Sequence, residues 1–413
     1  MQQILINSRD SALLERASKV VPGGVWGHMA TRAIGPGYPQ FFSRSEGCRV
    51  WDVDGNEYLD FMCAWGPNVL GYKHAEVDAA AIEQIGKGDI GNGPTEVMVE
   101  LAEMVVDTIE YADWALFQKN GTDATTACVT IARAATGKRK ILVARGAYHG
   151  AVPWCSPSLV GVTSEDRAHV IVFDYNSIES LDEAVAAAGD DLAAILMTAY
   201  RHDVNRDQEM PEAGFLKHAR AICDRSGAAL ILDDVRAGFR LDVRGSWAQY
   251  GIKPDLGAYS KAIANGWPLA AVAGSRRMME GASKVFVTGS FWYGSASMAA
   301  ALKTLHILRT TDALAHTEAM GQRLRDGLYS IAERHGFELS QTGPLQMPMV
   351  RFHNDPDLAI ANAFCAAALR HGLYLHPRHN MFLCAAHQPE DIDRALEAAE
   401  KAMRDIPAMS SHA

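Results

Sequence analysis

Six short, unbroken apolar runs constrain this chain most: residues 115–118, 140–144, 169–173, 193–198, 229–233 and 269–274. Helical patterns lie between several of them, at 122–136 and 211–225 for example. A strand that is apolar along its whole length has no face to give to water, so the sheet it joins must be covered on both sides. Continuous strands alternating with helices predict an α/β core with a mostly parallel sheet, from about residue 55 to about residue 300.

The two ends read differently. The first part has a polar helix and then Pro22-Gly23-Gly24-Val25-Trp26-Gly27-His28. The tail has helical patterns at 300–309 and 317–335, then strands, then a helix opening at Pro389 with Ile392, Leu396, Ala399 and Met403 on one face. At 413 residues the chain is too long for one simple core. The expected division is an N-terminal segment over 1–55, a large domain over 56–300 and a C-terminal part over 301–413, with the two ends forming one smaller α+β domain.

Composition removes several classes of function. The formal net charge is −10, and no block of Lys and Arg occurs, which argues against nucleic acid and an anionic membrane as partners. The seven cysteines are scattered and form no CxxC pair, which reads as buried thiols in a reducing compartment and gives no metal site. Arg9, Asp10, Glu15 and Arg16 stand where a signal peptide needs an apolar run. The uncharged stretch 285–302 is broken by Gly289, Ser290, Gly294, Ser295 and Ser297, so it is not read as a membrane span. A cytoplasmic location is the expectation.

Gly86-Lys87-Gly88-Asp89-Ile90-Gly91 matches a dinucleotide fingerprint in spacing only, because it follows a helical pattern where the fingerprint must follow a strand. The chemistry lies elsewhere. Asp233 ends an apolar strand, and Lys261 sits in the small-residue loop Ser260-Lys261-Ala262-Ile263-Ala264-Asn265-Gly266. A strand-end carboxylate and a loop lysine are what an enzyme needs to hold pyridoxal 5'-phosphate (PLP): the amine binds the cofactor covalently and the carboxylate keeps the pyridine nitrogen protonated. Asn120-Gly121-Thr122-Asp123 opens a helix, whose N–H groups and dipole suit a phosphate. Tyr148-His149-Gly150 follows a strand and can place an aromatic ring on a flat cofactor, with Val235 on the opposite face. Thr288-Gly289-Ser290-Phe291-Trp292-Tyr293 combines a hydroxyl with an apolar wall. Singly these residues read as a surface lysine, helix caps and core packing; it is their order that carries weight.

In that order the segments resemble the class III aminotransferases of PLP fold type I, along nearly the whole chain. Val50-Trp51-Asp52-Val53-Asp54-Gly55-Asn56-Glu57-Tyr58-Leu59-Asp60 is similar to that family's opening hairpin. Pro22-Gly23-Gly24-Val25 and Ala64-Trp65-Gly66-Pro67 resemble its glutamate-1-semialdehyde aminomutase branch, where the second segment lines the substrate pocket. A closer likeness is to the fumonisin-type aminotransferases, which move an amino group from a long aliphatic aminopolyol to pyruvate. It is carried by Tyr200-Arg201-His202-Asp203, Asp234-Val235-Arg236-Ala237-Gly238-Phe239-Arg240, Gly289-Ser290-Phe291-Trp292 and residues 376–383.

The resemblance implies Lys261 as Schiff-base lysine and proton shuttle, Asp233 on the pyridine nitrogen, Tyr148 and Val235 against the ring, and Gly121 and Thr122 on the phosphate. Ser290 would come from the partner subunit of a homodimer. Trp65 would line the substrate pocket, and Arg378 would take a carboxylate, with Arg32, Arg236 and Arg240 as competitors. Two departures stand out: Asp233-Asp234-Val235 where most members have Asp-Glu-Val, and Ala199-Tyr200 where most have Glu-Pro. The expected function is amino transfer from an amine to a keto acid such as pyruvate. An aminomutase or racemase on the same scaffold is the alternative, and a catalytically silent interaction protein is the alternative of another class.

Overall fold

The structure, a computed structural model, describes residues 7–30, 37–203 and 206–406. They form two compact units, one of residues 1–65, 69–74 and 315–413, the other of residues 66–68 and 75–314. The smaller unit opens with α1 (Ser8–Ser18), β1 (Phe42–Glu46), β2 (Arg49–Asp52) and β3 (Glu57–Asp60). The turn between β2 and β3 is closed by Asp52, whose carboxylate accepts from the Asn56 N–H at 2.8 Å and the Tyr58 hydroxyl at 2.9 Å.

The large unit then runs through α2 (Ala75–Lys87), α3 (Glu96–Thr108), β4 (Trp114–Gln118), α4 (Gly121–Thr136), β5 (Lys140–Ala144), β6 (Val170–Phe173), α5 (Ile178–Ala188), β7 (Leu192–Thr198), α6 (Ala213–Ser226), β8 (Ala229–Asp233), β9 (Leu256–Tyr259), β10 (Ala270–Gly274), α7 (Arg276–Lys284) and α8 (Ser295–Thr310). Seven strands make one sheet in the order β4-β10-β9-β8-β7-β5-β6. β10 is antiparallel to both neighbours and the other six run the same way. Every residue of β7 and β8 is buried, which is why these strands read as unbroken apolar runs. α4 ends at Gly137 and α6 at Gly227, both in the left-handed conformation that stops a helix.

The chain returns to the smaller unit with α9 (Ala313–Arg334), β11 (Leu339–Thr342), β12 (Met349–Phe352), α10 (Ala359–Arg370), β13 (Leu373–Tyr374) and α11 (Pro389–Asp405). Its main sheet has the order β1-β2-β3-β13, with β13 parallel to β3.

The expected sheet lacked β9. Leu256-Gly257-Ala258-Tyr259 is short, small and preceded by Pro254, so it has no apolar run to read. Gly257 is bare because the Tyr111 hydroxyl stands 1.8 Å from where a Cβ would fall. Residues 301–314 pack in the large unit, not with the C-terminal part: Arg309 of α8 pairs with Asp107 of α3 at 2.6 Å. No helix among the described residues is long and apolar enough to cross a membrane.

Candidate active site

The carboxyl ends of the six like-directed strands share one edge of the large sheet, and the chemistry-bearing residues of that unit gather there. Asp233, the last residue of β8, is 5% exposed. Its Oδ2 accepts from His149 Nδ1 at 2.7 Å, and its Oδ1 accepts the Val235 N–H at 3.1 Å. A carboxylate is only an acceptor, so His149 carries its proton on Nδ1. Its buried Nε2 has no hydrogen-bond partner among the described residues, and the ring is stacked near Trp154 with centroids 6.4 Å apart. His149 is the residue sequence reasoning missed. It lay inside the quoted Tyr-His-Gly segment, but its bond to Asp233 spans 84 residues and follows only from the sheet order β8-β7-β5.

The start of α4 closes onto the same place. Gly121 has no room for a side chain, because a Cβ would stand 2.6 Å from Val235 Cγ1. Gly150 has φ +133°, and a Cβ there would stand 2.6 Å from Thr122 Oγ1. The Thr125 hydroxyl donates to the His149 carbonyl at 2.6 Å, tying α4 to the segment after β5. Asp123 accepts the Asn120 N–H at 2.9 Å. The N–H groups of Gly121 and Thr122 fall in the first turn, where a helix has no acceptor of its own to give. Such a terminus holds a phosphate.

Lys261 follows β9 with φ +49°, a left-handed conformation that costs a non-glycine residue free energy and is common at functional sites. Burial pushes its ammonium from 10.5 down to about 7; Arg236 and Arg240 act the same way and Asp233 opposes them. An amine with that affinity is about half neutral near pH 7 and can act as nucleophile and base. Arg236 is buried, with Nη1 3.5 Å from the His202 carbonyl, and burial lowers its own pKa. His202 is held well below the usual histidine range, first by burial and then by Arg236. Tyr200 is fully buried, with its ring edge-on to His202 at 5.1 Å. Asp234 is fully buried and accepts twice from Ser246, from Oγ at 2.6 Å and from N at 3.0 Å; burial raises its carboxyl to about 7. Arg240 is fully buried and donates to the Gly66 carbonyl at 2.6 Å.

The structure thus brings together Gly121, Thr122, Tyr148, Asp233, Val235 and Lys261 at one end of one unit. Tyr148 is 36% exposed at that edge, and burial raises its hydroxyl. Ser290 lies in an exposed turn before α8, beside Phe291 at 67% exposed and Tyr293 at 47%. Trp65 and Arg378 belong to the smaller unit. Trp65 closes a run of three left-handed residues, Cys63, Ala64 and Trp65, and its ring meets His376 at 5.3 Å and His379 at 5.0 Å. Arg378 is exposed, and its backbone N–H donates to His376 Nδ1. Arg32 lies outside the described residues.

A helix start with bare glycine, a strand-end carboxylate backed by histidine and a lysine whose pKa is lowered by burial fit PLP, and with the doubly covered sheet they define a PLP-dependent enzyme of fold type I. The chain belongs to the class III aminotransferases: the family described as Aminotransferase class-III matches residues 33–403. It is 48% identical to the aminopentol aminotransferase of Sphingopyxis macrogoltabida over 409 residues, covering 98% of this chain and 97% of that protein. A PLP-bound structure of the FumI protein from Sphingopyxis sp. MTA144 superposes with a TM-score of 0.95 at 48% identity, covering 96% of each chain. The glutamate-1-semialdehyde 2,1-aminomutase of Desulfitobacterium hafniense is 32% identical, covering 97% of this chain and 99% of that one. Membership of this family sets aside the reading as a silent interaction protein.

Proposed function

We propose that this enzyme transfers an amino group from a bulky or long-chain aliphatic amine to a keto acid, with pyruvate as acceptor. The observation that carries the mechanistic reading is the half-buried, left-handed Lys261 following β9 on the same sheet edge as the Asp233–His149 pair. When bound, PLP supplies an electron sink for the carbon that loses its proton. Asp233 holds the proton on the ring nitrogen, and His149 keeps its carboxylate oriented. Tyr148 and Val235 flank the ring, and Gly121 and Thr122 bind the phosphate. The Lys261 amine would be the base that takes up and returns the proton of the donor carbon. Trp65 lines the amine pocket and Arg378 takes the acceptor carboxylate.

The amine class rests on the 48% identity to an aminopentol aminotransferase along almost the full chain. We infer further that the enzyme is a cytoplasmic homodimer in which Ser290 reaches the partner's phosphate site; its exposed turn and the exposed Phe286, Phe291 and Tyr293 beside it suit that role. A panel of amine donors with pyruvate tests the proposal. Alanine should form with long-chain amines. Alanine formed with no donor in the panel, together with isomerisation of an amino aldehyde in the absence of keto acid, would transfer the reading to the aminomutase branch.

A further inference from the structure

The large unit holds a cavity of about 240 Å³ apart from the cofactor residues: none of Gly121, Thr122, Tyr148, Asp233, Val235 and Lys261 lines it. Met98 and Ala102 of α3, Leu116 and Phe117 of β4, and Trp292 and Tyr293 before α8 supply most of its walls. β4 is an edge strand of the seven-stranded sheet, so one side of it has no neighbouring strand. Its burial is inverted: Trp114, Ala115, Leu116 and Phe117 are half-buried, while the polar Gln118 at its end is fully buried. Gly289 is bare because a Cβ there would meet the Trp292 indole nitrogen, which seats that ring against the turn.

Gln118 also lines the cavity. It is 0% exposed, and neither its Nε2 nor its Oε1 has a hydrogen-bond partner among the described residues. A carboxamide brings two N–H donors and one acceptor oxygen, and leaving them unpaired out of water costs free energy. Folded proteins keep few such groups. The cavity has room for more than water, since about 150 Å³ of apolar space takes a benzene ring. The partner that fits is neutral, because no charged residue lines the cavity. A carboxylate would satisfy Nε2 and set its second oxygen against Oε1. An ammonium would satisfy Oε1 and set its other donors against Nε2. A primary carboxamide carries a donor beside an acceptor and answers both atoms at once.

We propose that this cavity binds a small neutral carboxamide with an apolar, ring-sized body, its amide paired edge to edge with that of Gln118 as the side chain turns onto it. The body lies among Met98, Phe117 and Trp292, where an aromatic ring finds two others and a thioether. The pairing replaces unmade hydrogen bonds by made ones, so the ligand recovers what the protein alone forfeits. The site serves recognition outside the reacting centre, and its test needs no turnover.

The experiment compares full-length, PLP-loaded wild type, Gln118→Leu and Ala102→Leu. Each is titrated calorimetrically with benzamide and with toluene, which has the ring and no amide. Leucine at 118 removes the amide and keeps much of its shape; leucine at 102 fills the cavity and leaves the amide in place. Benzamide should bind wild type. Gln118→Leu should weaken it by about ten- to hundredfold, the worth of two neutral hydrogen bonds, and leave toluene within about twofold. Ala102→Leu should weaken both by about tenfold or more, and it decides the matter if Gln118→Leu does not fold. The proposal is overturned if benzamide fails to bind wild type, as it would with water or a second copy of the chain filling the cavity. It is equally overturned if Gln118→Leu holds benzamide within about twofold or loses toluene to the same degree, or if Ala102→Leu binds both as wild type does.

Discussion

Replacing Lys261 by methionine should make the cofactor-free protein more stable at neutral pH, and the gain should fade as the pH rises. The ammonium drops from 10.5 to about 7 on folding, chiefly through burial. Below about pH 7 both folded and unfolded chains are protonated, and folding carries the full cost of removing the charge from water. Between about 7 and 10.5 the unfolded chain still holds a proton that the folded chain has released, so wild-type stability climbs with pH. Above that range both are neutral and the cost is gone. At 1.36 kcal/mol per pH unit the shift corresponds to a ceiling of about 5 kcal/mol; water reaching the half-buried side chain brings it to about 2–4 kcal/mol. Methionine is unbranched and of similar length, so it removes the charge with little repacking. Urea unfolding of both cofactor-free proteins, at several values from about pH 6.5 to about pH 10, reads the difference directly. A gap that stays constant across that range would place the ammonium in ordinary water, and the explanation of the lysine's nucleophilicity would go with it.

Asp233→Asn should fold normally and lose on the order of 10²-fold in rate, because an amide cannot hold a proton on the ring nitrogen as a carboxylate does; half-reaction rates near wild type would reduce Asp233 to a strand-end cap. Gly150→Ala forces a Cβ to within 2.6 Å of Thr122 Oγ1 at φ +133°. It should cost about 1–3 kcal/mol in stability and weaken cofactor retention on dialysis, and unchanged retention would show that the segment after β5 does not shape the cradle. Arg378→Ala should raise the pyruvate KM well above any change for an uncharged amine, about tenfold or more for a lost carboxylate bond, and equal effects on both would remove the assignment.

Much of the site was legible because it is built from local signals. A helix start after a strand, an aspartate closing an apolar run and a lysine in a small-residue loop each declare themselves within a few residues. The strands β5 and β8 were read with their observed bounds, Lys140–Ala144 and Ala229–Asp233, because each is an apolar run marked by a charged residue at one end. What stayed hidden depends on distant pairs. β9 leads into Lys261 but is too short and glycine-thinned to show a pattern. His149 acquires its role only when β5 and β8 lie one strand apart.

The two departures from the family pattern bear on the same electrostatics. The change to Asp234 is absorbed locally: the shorter carboxylate accepts both bonds Ser246 offers and is fully buried. The change to Ala199-Tyr200 has further reach. It leaves an alanine where most members carry a glutamate and a buried ring where they carry a proline, and the segment continues into His202, whose burial keeps it neutral. The fixed cations Arg236 and Arg240 then act on Lys261 against Asp233, an anion already engaged by His149 and the Val235 N–H. A lysine between two guanidiniums and one committed carboxylate releases its proton easily. Ala199→Glu should therefore raise the Lys261 pKa and shift the pH at which cofactor-free protein reacts with PLP upward. An unchanged pH profile in that variant would mean that burial alone sets the lysine.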